Sequence, residues 1–186
     1  ETGGGLGPGP IGIMMVQLIR ARGAGKVILV GTRDDRLECG QALGVDTIIN
    51  VRQPDSPHYT ADLRARISEV TGGQLADRVV TPTASLGSMQ AALEISGPGE
   101  RIVYFGLPGP QDRIGVPALD TMIADKTIRF SWLAPFTWPS ALQALATGLV
   151  DVQPIVPHRA PLEPLVDVPH DGKERREGVL KAIVTP

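Results

Sequence analysis

The chain has 186 residues, 18 of them basic and 20 acidic, for a net charge of -2, with 42% hydrophobic and 20% charged side chains. That balance suits one globular unit and offers no bulk positive charge to a nucleic-acid backbone, so no nucleic-acid partner is expected. One cysteine and three histidines exclude a disulfide framework and a self-contained zinc fold; no apolar run reaches the roughly 18 residues of a membrane span, so no membrane partner is expected, and the first residues lack a signal-peptide layout, so the expected location is cytoplasmic.

The densest glycine cluster opens the chain, with Gly3, Gly4, Gly5, Gly7, Gly9 and Gly12 ahead of an apolar run over 11–19 that predicts a buried helix. Met14 and Met15 read as part of its core. Gly23 and Gly25 suit a left-handed helix end, and 26–30, Lys-Val-Ile-Leu-Val, predicts a strand apolar on both faces. Asp34 and Asp35 open a second helix, their charges favourable at its N-terminus, and Gly44 closes it before a strand over 47–50. Cys39 falls inside that helix and reads as a small buried hydrophobe. After a loop over 54–57, the spacing of Leu63, Ile67 and Val70 predicts a helix over 61–70, followed by a strand over 78–81. A helix over 89–95, a turn over 97–100 and a strand over 101–105 come next, with a last buried strand over 127–132. Strands alternating with short helices predict right-handed βαβ units and a parallel sheet covered on both faces.

Beyond residue 133 the rhythm changes. A helix over 140–146 leads into 152–164, which holds four prolines, then a weakly patterned stretch over 165–177 and a strand over 179–184. Trp132, Phe136 and Trp138 gather at this boundary and read as core or subunit interface. His58 and His170 read as solvated, His158 as a structural hydrogen-bonding group, and the mixed charges over 173–177 as a solvated face.

The residues Gly7-Pro8-Gly9-Pro10-Ile11-Gly12 match G-x-G-x-x-G at the head of a helix, and Gly31 stands 19 positions after Gly12, at the end of the next strand. In a dinucleotide site Gly7 serves the tight turn, Gly9 lets backbone approach a pyrophosphate, and Gly12 lets helix and sheet pack closely. Pro10 suits the first helical turn, and Ile11 and Gly12 would offer helix N–H groups to the anion. A flexible glycine leader on a core helix is the plainer reading of the same residues. After the second strand an NAD site usually carries an acid; this chain reads Val30-Gly31-Thr32-Arg33. Gly31 leaves room, Thr32 offers a hydroxyl, and Arg33, with Arg36 as helper, can grip a 2′-phosphate, which favours NADP over NAD. The alternative is that Arg33 is a solvated charge and that Asp34 or Asp35 reaches the ribose.

With Gly23-Ala24, the 27–30 strand, Arg36-Leu37, Leu43-Gly44-Val45-Asp46, Ile49-Asn50, Pro98-Gly99-Glu100-Arg101-Ile102-Val103, Phe105-Gly106-Leu107, Ala141, Leu145, Gly148, Val150-Asp151, Ile155, His158-Arg159, Pro161-Leu162 and Lys181-Ala182-Ile183-Val184, the glycine loop resembles the zinc-containing medium-chain alcohol and polyol dehydrogenases. The resemblance spans essentially the whole chain. It implies hydride transfer between an alcohol or polyol and a nicotinamide cofactor, with Phe105 and Leu107 at the nicotinamide end. The fold class it supports is α/β: a Rossmann doubly wound parallel sheet over 1–132, with a C-terminal segment over 133–186 belonging to a second, catalytic domain. A homodimer or homotetramer is implied, because the family's dimers extend the sheet across subunits.

Three departures qualify the resemblance. The family's zinc ligands lie mostly before the glycine loop, where this chain begins, so no zinc ligands and no turnover by this stretch alone are expected. The strand before Gly7 reads Glu1-Thr2-Gly3-Gly4-Gly5-Leu6, and glycine holds a central strand poorly, so a mobile loop is expected. Pro82 would remove a ladder donor if it lay inside a central strand. Two other readings stand beside the leading one: a non-catalytic nucleotide-binding or interaction module, and a methyltransferase-like adenosine binder.

Overall fold

The computed structural model describes residues 1–133, 136–156, 158–161 and 180–185. Six parallel strands form one sheet in the order β3-β2-β1-β4-β5-β6: β1 Thr2–Leu6, β2 Lys26–Gly31, β3 Thr47–Asn50, β4 Ala76–Thr81, β5 Ser96–Tyr104 and β6 Thr127–Phe130. Helices α1 Pro10–Ala21, α2 Asp34–Ala42, α3 Leu63–Val70 and α4 Leu86–Ile95 connect them, and α5 Ala118–Ile123 precedes β6. This order is the doubly wound Rossmann arrangement, whose strand order reverses between β1 and β4.

The apolar run of β2 is buried on both faces, as a parallel strand between helix layers must be. Val27 and Leu29 join Val16, Leu37, Val45 and Ile48 in one core, while Ile28 and Val30 join Ile49, Ile67, Val79, Met89, Ile95 and Ile102 in the other. Tyr104 is buried in the second core, its hydroxyl donates to the Met89 carbonyl at 2.9 Å, and burial pushes its pKa up to about 12. It is therefore a structural phenol.

The glycine-rich β1 is a fully paired central strand, in register with β2 on one side and β4 on the other. Ladder hydrogen bonds use only backbone, and the absent side chains let α1 settle close: a Cβ on Gly3 would lie 2.6 Å from Ile19 Cγ2. β4 ends at Thr81, so Pro82 lies just past the ladder and removes nothing from it.

Several boundaries differ from the sequence expectation. The turn expected over 97–100 lies inside β5, where pairing with β4 jumps from Ala76–Ser96 to Arg78–Arg101 around Gly99 at φ 72°. Helix α4 starts three residues early because the Ser85 hydroxyl caps it, accepting from Ser88 N. Met14 and Met15 are only half-buried; Gly12, Ile13, Val16 and Gln17 form the core face of α1. Cys39 is also half-buried, near the Pro154 carbonyl.

After the sheet come α6 Trp138–Ala146, a 3₁₀ turn Gln153–Ile155, and two short parallel strands, β7 His158–Pro161 and β8 Ala182–Thr185. β7 was not expected from the proline-rich sequence. Val150 and Ile155 are buried, and the Gln17 amide grips the Asp151 backbone from both ends, donating to its carbonyl at 3.0 Å and accepting from its N–H at 2.7 Å. The readings of 165–177, its charge run, His170 and the His158 side chain lie outside the described residues. Among the described residues no helix is long and apolar enough to cross a membrane.

One link between layers carries a pH signature. Asp46 accepts from Val27 N at 2.6 Å and from the Arg20 guanidinium. Burial alone would raise this carboxyl, but the Val27 N–H and Arg20 outweigh it and hold it below the ordinary carboxylate range. A depressed folded pKa contributes stability above the unfolded value, near 4, and loses it as pH falls through the folded value. Because both side chains of the pair are more than a third exposed and screened by water, Asp46→Ala should lower stability by only about 0.5 kcal/mol at pH 7. Urea unfolding should show this gap closing below about pH 4; a gap constant from pH 7 to strong acid would remove the charge from the account.

Candidate functional site

The site lies at the carboxyl edge of the sheet, where ligands of doubly wound folds bind. Gly7 leaves β1 at φ 128°, and its N–H donates to the Val30 carbonyl at 3.0 Å, pinning the loop to β2. Pro8 then seats against Gly31, where a Cβ would come 2.5 Å from Pro8 Cγ. The room left by Gly31 is thus taken by the loop itself. Gly9 caps α1 with ordinary extended dihedrals, and nothing lies within 4 Å of where its Cβ would stand. Gly12 is the opposite case, since its Cβ would fall 1.9 Å from the Gly7 carbonyl oxygen. The N-terminus of α1 has no side-chain cap and no acid in its first turn, so the positive end of the helix faces the cleft.

The cleft has a volume of about 590 Å³, and Gly7, Gly9, Pro10, Ile11, Gly12, Gly31, Thr32, Arg33 and Arg36 all line it. Phe105 and Leu107 line a neighbouring hollow of about 380 Å³, which shares Ile11, Pro82 and Ala84 with the first. The two hollows adjoin at these three residues.

Residues from later loops complete the walls. Thr83, Ala84 and Ser85 contribute from the β4–α4 connection, Ser88 from the first turn of α4, and Arg52 from the loop after β3. The sequence reading passed over them; the available signal was position, since loops after β3 and β4 open on the same sheet edge. The Phe105 and Gly106 N–H groups both donate to Thr81 O at 3.0 Å, and a Cβ on Gly106 would lie 2.0 Å from Thr83 O. Backbone packs on backbone there.

The charged end of the cleft is built around buried Asn50. Its Nδ2 donates to Asp34 Oδ1 at 2.7 Å, and its Oδ1 accepts from the N–H groups of Arg52 and Gln53 at 2.9 and 3.0 Å. Ser56 Oγ also donates to Asp34, at 2.8 Å. Asp34 is thereby committed to the β3 loop. Arg33 meets Asp35 in a bidentate pair, Nε to Oδ1 at 3.0 Å and a terminal nitrogen to Oδ2 at 2.8 Å, both side chains about one-fifth exposed. Thr32 is exposed beside them. Burial and the Asp35 charge push the nearby Cys39 thiol up, away from a nucleophilic thiolate.

The geometry fits an elongated, multiply anionic ligand: helix N–H groups at its middle, arginines at one end and an apolar wall at the other. Among the described residues, no group of three or more His, Cys, Asp or Glu side chains could hold a metal ion.

Comparison with known proteins gives the family and the fold. The family model described as zinc-binding dehydrogenase matches residues 10–147. The sorbitol dehydrogenase of Rattus norvegicus is 29% identical over 168 residues, 90% of this chain and 45% of that protein. Among solved structures, the short chain alcohol dehydrogenase of Escherichia coli CFT073 complexed with NADH superposes with a TM-score of 0.85 at 21% identity. A zinc-binding dehydrogenase of Sinorhizobium meliloti 1021 bound to NADP superposes with a TM-score of 0.83 at 20% identity. Each structural match covers all of this chain and 52% of the other. The chain thus spans about half the length of the relatives it matches.

Proposed function

Because this chain belongs to the family of zinc-binding dehydrogenases and matches its cofactor-binding part, we propose that it holds NADP for hydride transfer between an alcohol or polyol and the nicotinamide ring. The observation that carries the reading is the uncapped α1 N-terminus over the glycine loop, next to Arg33, Arg36 and Arg52 in the same cleft. Gly7, Gly9, Pro10, Ile11 and Gly12 would hold the pyrophosphate; Gly31 shapes the loop by admitting Pro8, while Thr32, Arg33 and Arg36 would hold the adenosine ribose and its 2′-phosphate. Phe105 and Leu107 would flank the nicotinamide end, in the apolar hollow they line. The bound cofactor supplies the hydride acceptor or donor. Both NADP and NADH occur among the structural neighbours, so the preference for NADP, with NAD as the lesser cofactor, rests on Arg33. Zinc does not fit the described residues, which bring together no three metal-ligating side chains.

The same reading divides the chain into a dinucleotide domain over 1–132 and a segment over 133–186 that packs as part of the catalytic domain. Support comes from α6, whose Trp138, Leu142 and Leu145 lie exposed after the sheet has ended. A cytoplasmic site of action belongs to the proposal as well.

A homo-oligomer completes it. Among the described residues β6 is the last strand of the sheet and pairs with β5 alone, and Phe130, Trp132, Met122 and Ile123 stand exposed on or beside it. A homodimer that continues the sheet across this edge, alone or within a homotetramer, would cover them. Sedimentation should show an oligomer for the wild type and monomer for Phe130→Glu, with nucleotide affinity kept; a wild type that sediments as a monomer at high micromolar concentration rejects the edge as an interface.

Calorimetric titration with NADP, NAD and S-adenosylmethionine tests the functional reading. NADP should bind most tightly, NAD more weakly and S-adenosylmethionine not at all. No binding of any nucleotide would leave a non-catalytic interaction module, and tightest binding of S-adenosylmethionine a methyltransferase-like site.

A further inference from the structure

We infer that Asp35 is a specificity-determining residue that competes with the 2′-phosphate of NADP for Arg33 and so narrows the discrimination between NADP and NAD; the inference rests on the dinucleotide reading above. Arg33 precedes α2 with extended dihedrals, φ -147° and ψ 125°, so its side chain can fold back onto Asp35 in the first helical turn. The guanidinium meets that carboxylate with two parallel hydrogen bonds, of 3.0 and 2.8 Å. This is the fork geometry that a guanidinium would also present to a phosphate.

The surroundings single out Asp35. Asp34, its neighbour, is held by Asn50 and Ser56 and turned toward the β3 loop, so it does not compete for the guanidinium. Arg33, Arg36 and Arg52 are the charged side chains among the residues that line the cleft, and Asp35 is joined to that wall through its pair with Arg33. A 2′-phosphate must either displace the Asp35 carboxylate from Arg33 or approach it at like-charge distance. The 2′-hydroxyl of NAD carries no charge and faces no such conflict. Asp35 therefore acts against NADP, while Arg33 acts for it, and the pair makes a site that accepts both cofactors.

Asp35→Asn removes the charge and keeps the shape. Calorimetry should show the ratio of NADP to NAD affinity rising about tenfold, the worth of one charge-assisted contact, mainly through tighter NADP. Adenosine 2′,5′-bisphosphate against 5′-AMP should show the same gain, which locates it at the ribose end. The gain should vanish when Asp35→Asn is made in an Arg33→Ala background, a result that a purely structural role would not produce. Asp35→Ala, read by the same ratio with its melting curve recorded, guards against an effect peculiar to the amide. If NADP and NAD both bind the wild type and the ratio is unchanged in both Asp35 variants, the competition is refuted and the dinucleotide site stands. If neither binds the wild type, the dinucleotide reading itself falls.

Discussion

Gly12→Ala is expected to destabilise the protein by about 3 kcal/mol and to abolish measurable dinucleotide binding. The added Cβ would stand 1.9 Å from the Gly7 carbonyl oxygen and 3.1 Å from its carbon, with Pro82 Cγ at 3.2 Å on the far side. Backbone atoms cannot rotate away as a side chain would. Either α1 slides along the sheet, opening the contacts of Ile13 and Val16, both essentially fully buried, or the glycine loop lifts away from β2 and loses the bond from Gly7 N to Val30 O. Both routes spoil the anion cradle. Thermal unfolding should report a midpoint lower by roughly 6–12 °C. Gly9→Ala is the matching control: its Cβ meets nothing within 4 Å, and its backbone dihedrals suit any residue, so the midpoint should hold while the methyl group intrudes on the cleft. Equal melting of wild type and Gly12→Ala would show that the loop does not pack against α1 in this way.

Arg33→Ala should weaken NADP binding about 100-fold while leaving NAD within about threefold of the wild type. The loss is that of the bidentate, charge-assisted contact to the 2′-phosphate. The salt dependence of NADP binding should become shallower, because one cation fewer meets the ligand. A variant that loses NADP and NAD affinity in equal measure would assign Arg33 to the architecture of α2 rather than to the phosphate.

Much of the architecture was legible because it is written in local periodicity. The both-faced apolar run of β2 announces a buried parallel strand, and Gly23 at φ 91° and Gly44 at φ 101° end α1 and α2 where left-handed backbone is needed. The loop from Gly7 to Gly12 was legible for a different reason, since its steric demands admit only glycine at its two ends, Gly7 at φ 128° and Gly12 against the Gly7 carbonyl. Less visible were elements too short or too irregular to show a period. α5, with six residues, spans fewer than two turns, and β5 hides a turn-like sequence within a strand because β4 pairs on either side of it. The aromatic group of Trp132, Phe136 and Trp138 was expected as core or interface. Phe136 at 98% and Trp138 at 76% exposure exclude the core in this chain.

The site divides along the same line. Sequence by itself determined that a glycine loop at a helix N-terminus would face arginines placed after the second strand, because each of these features is set by residues adjacent in the chain. Only the tertiary structure decided what those arginines and acids do. Asp34 is drawn off by Asn50 and Ser56, 16 and 22 residues away, Gly31 yields its space to Pro8, and Arg33 is left facing Asp35. Hydrogen bonds and steric contacts of this kind depend on distances in space, which the folded sheet sets by bringing the ends of β1, β2 and β3 together.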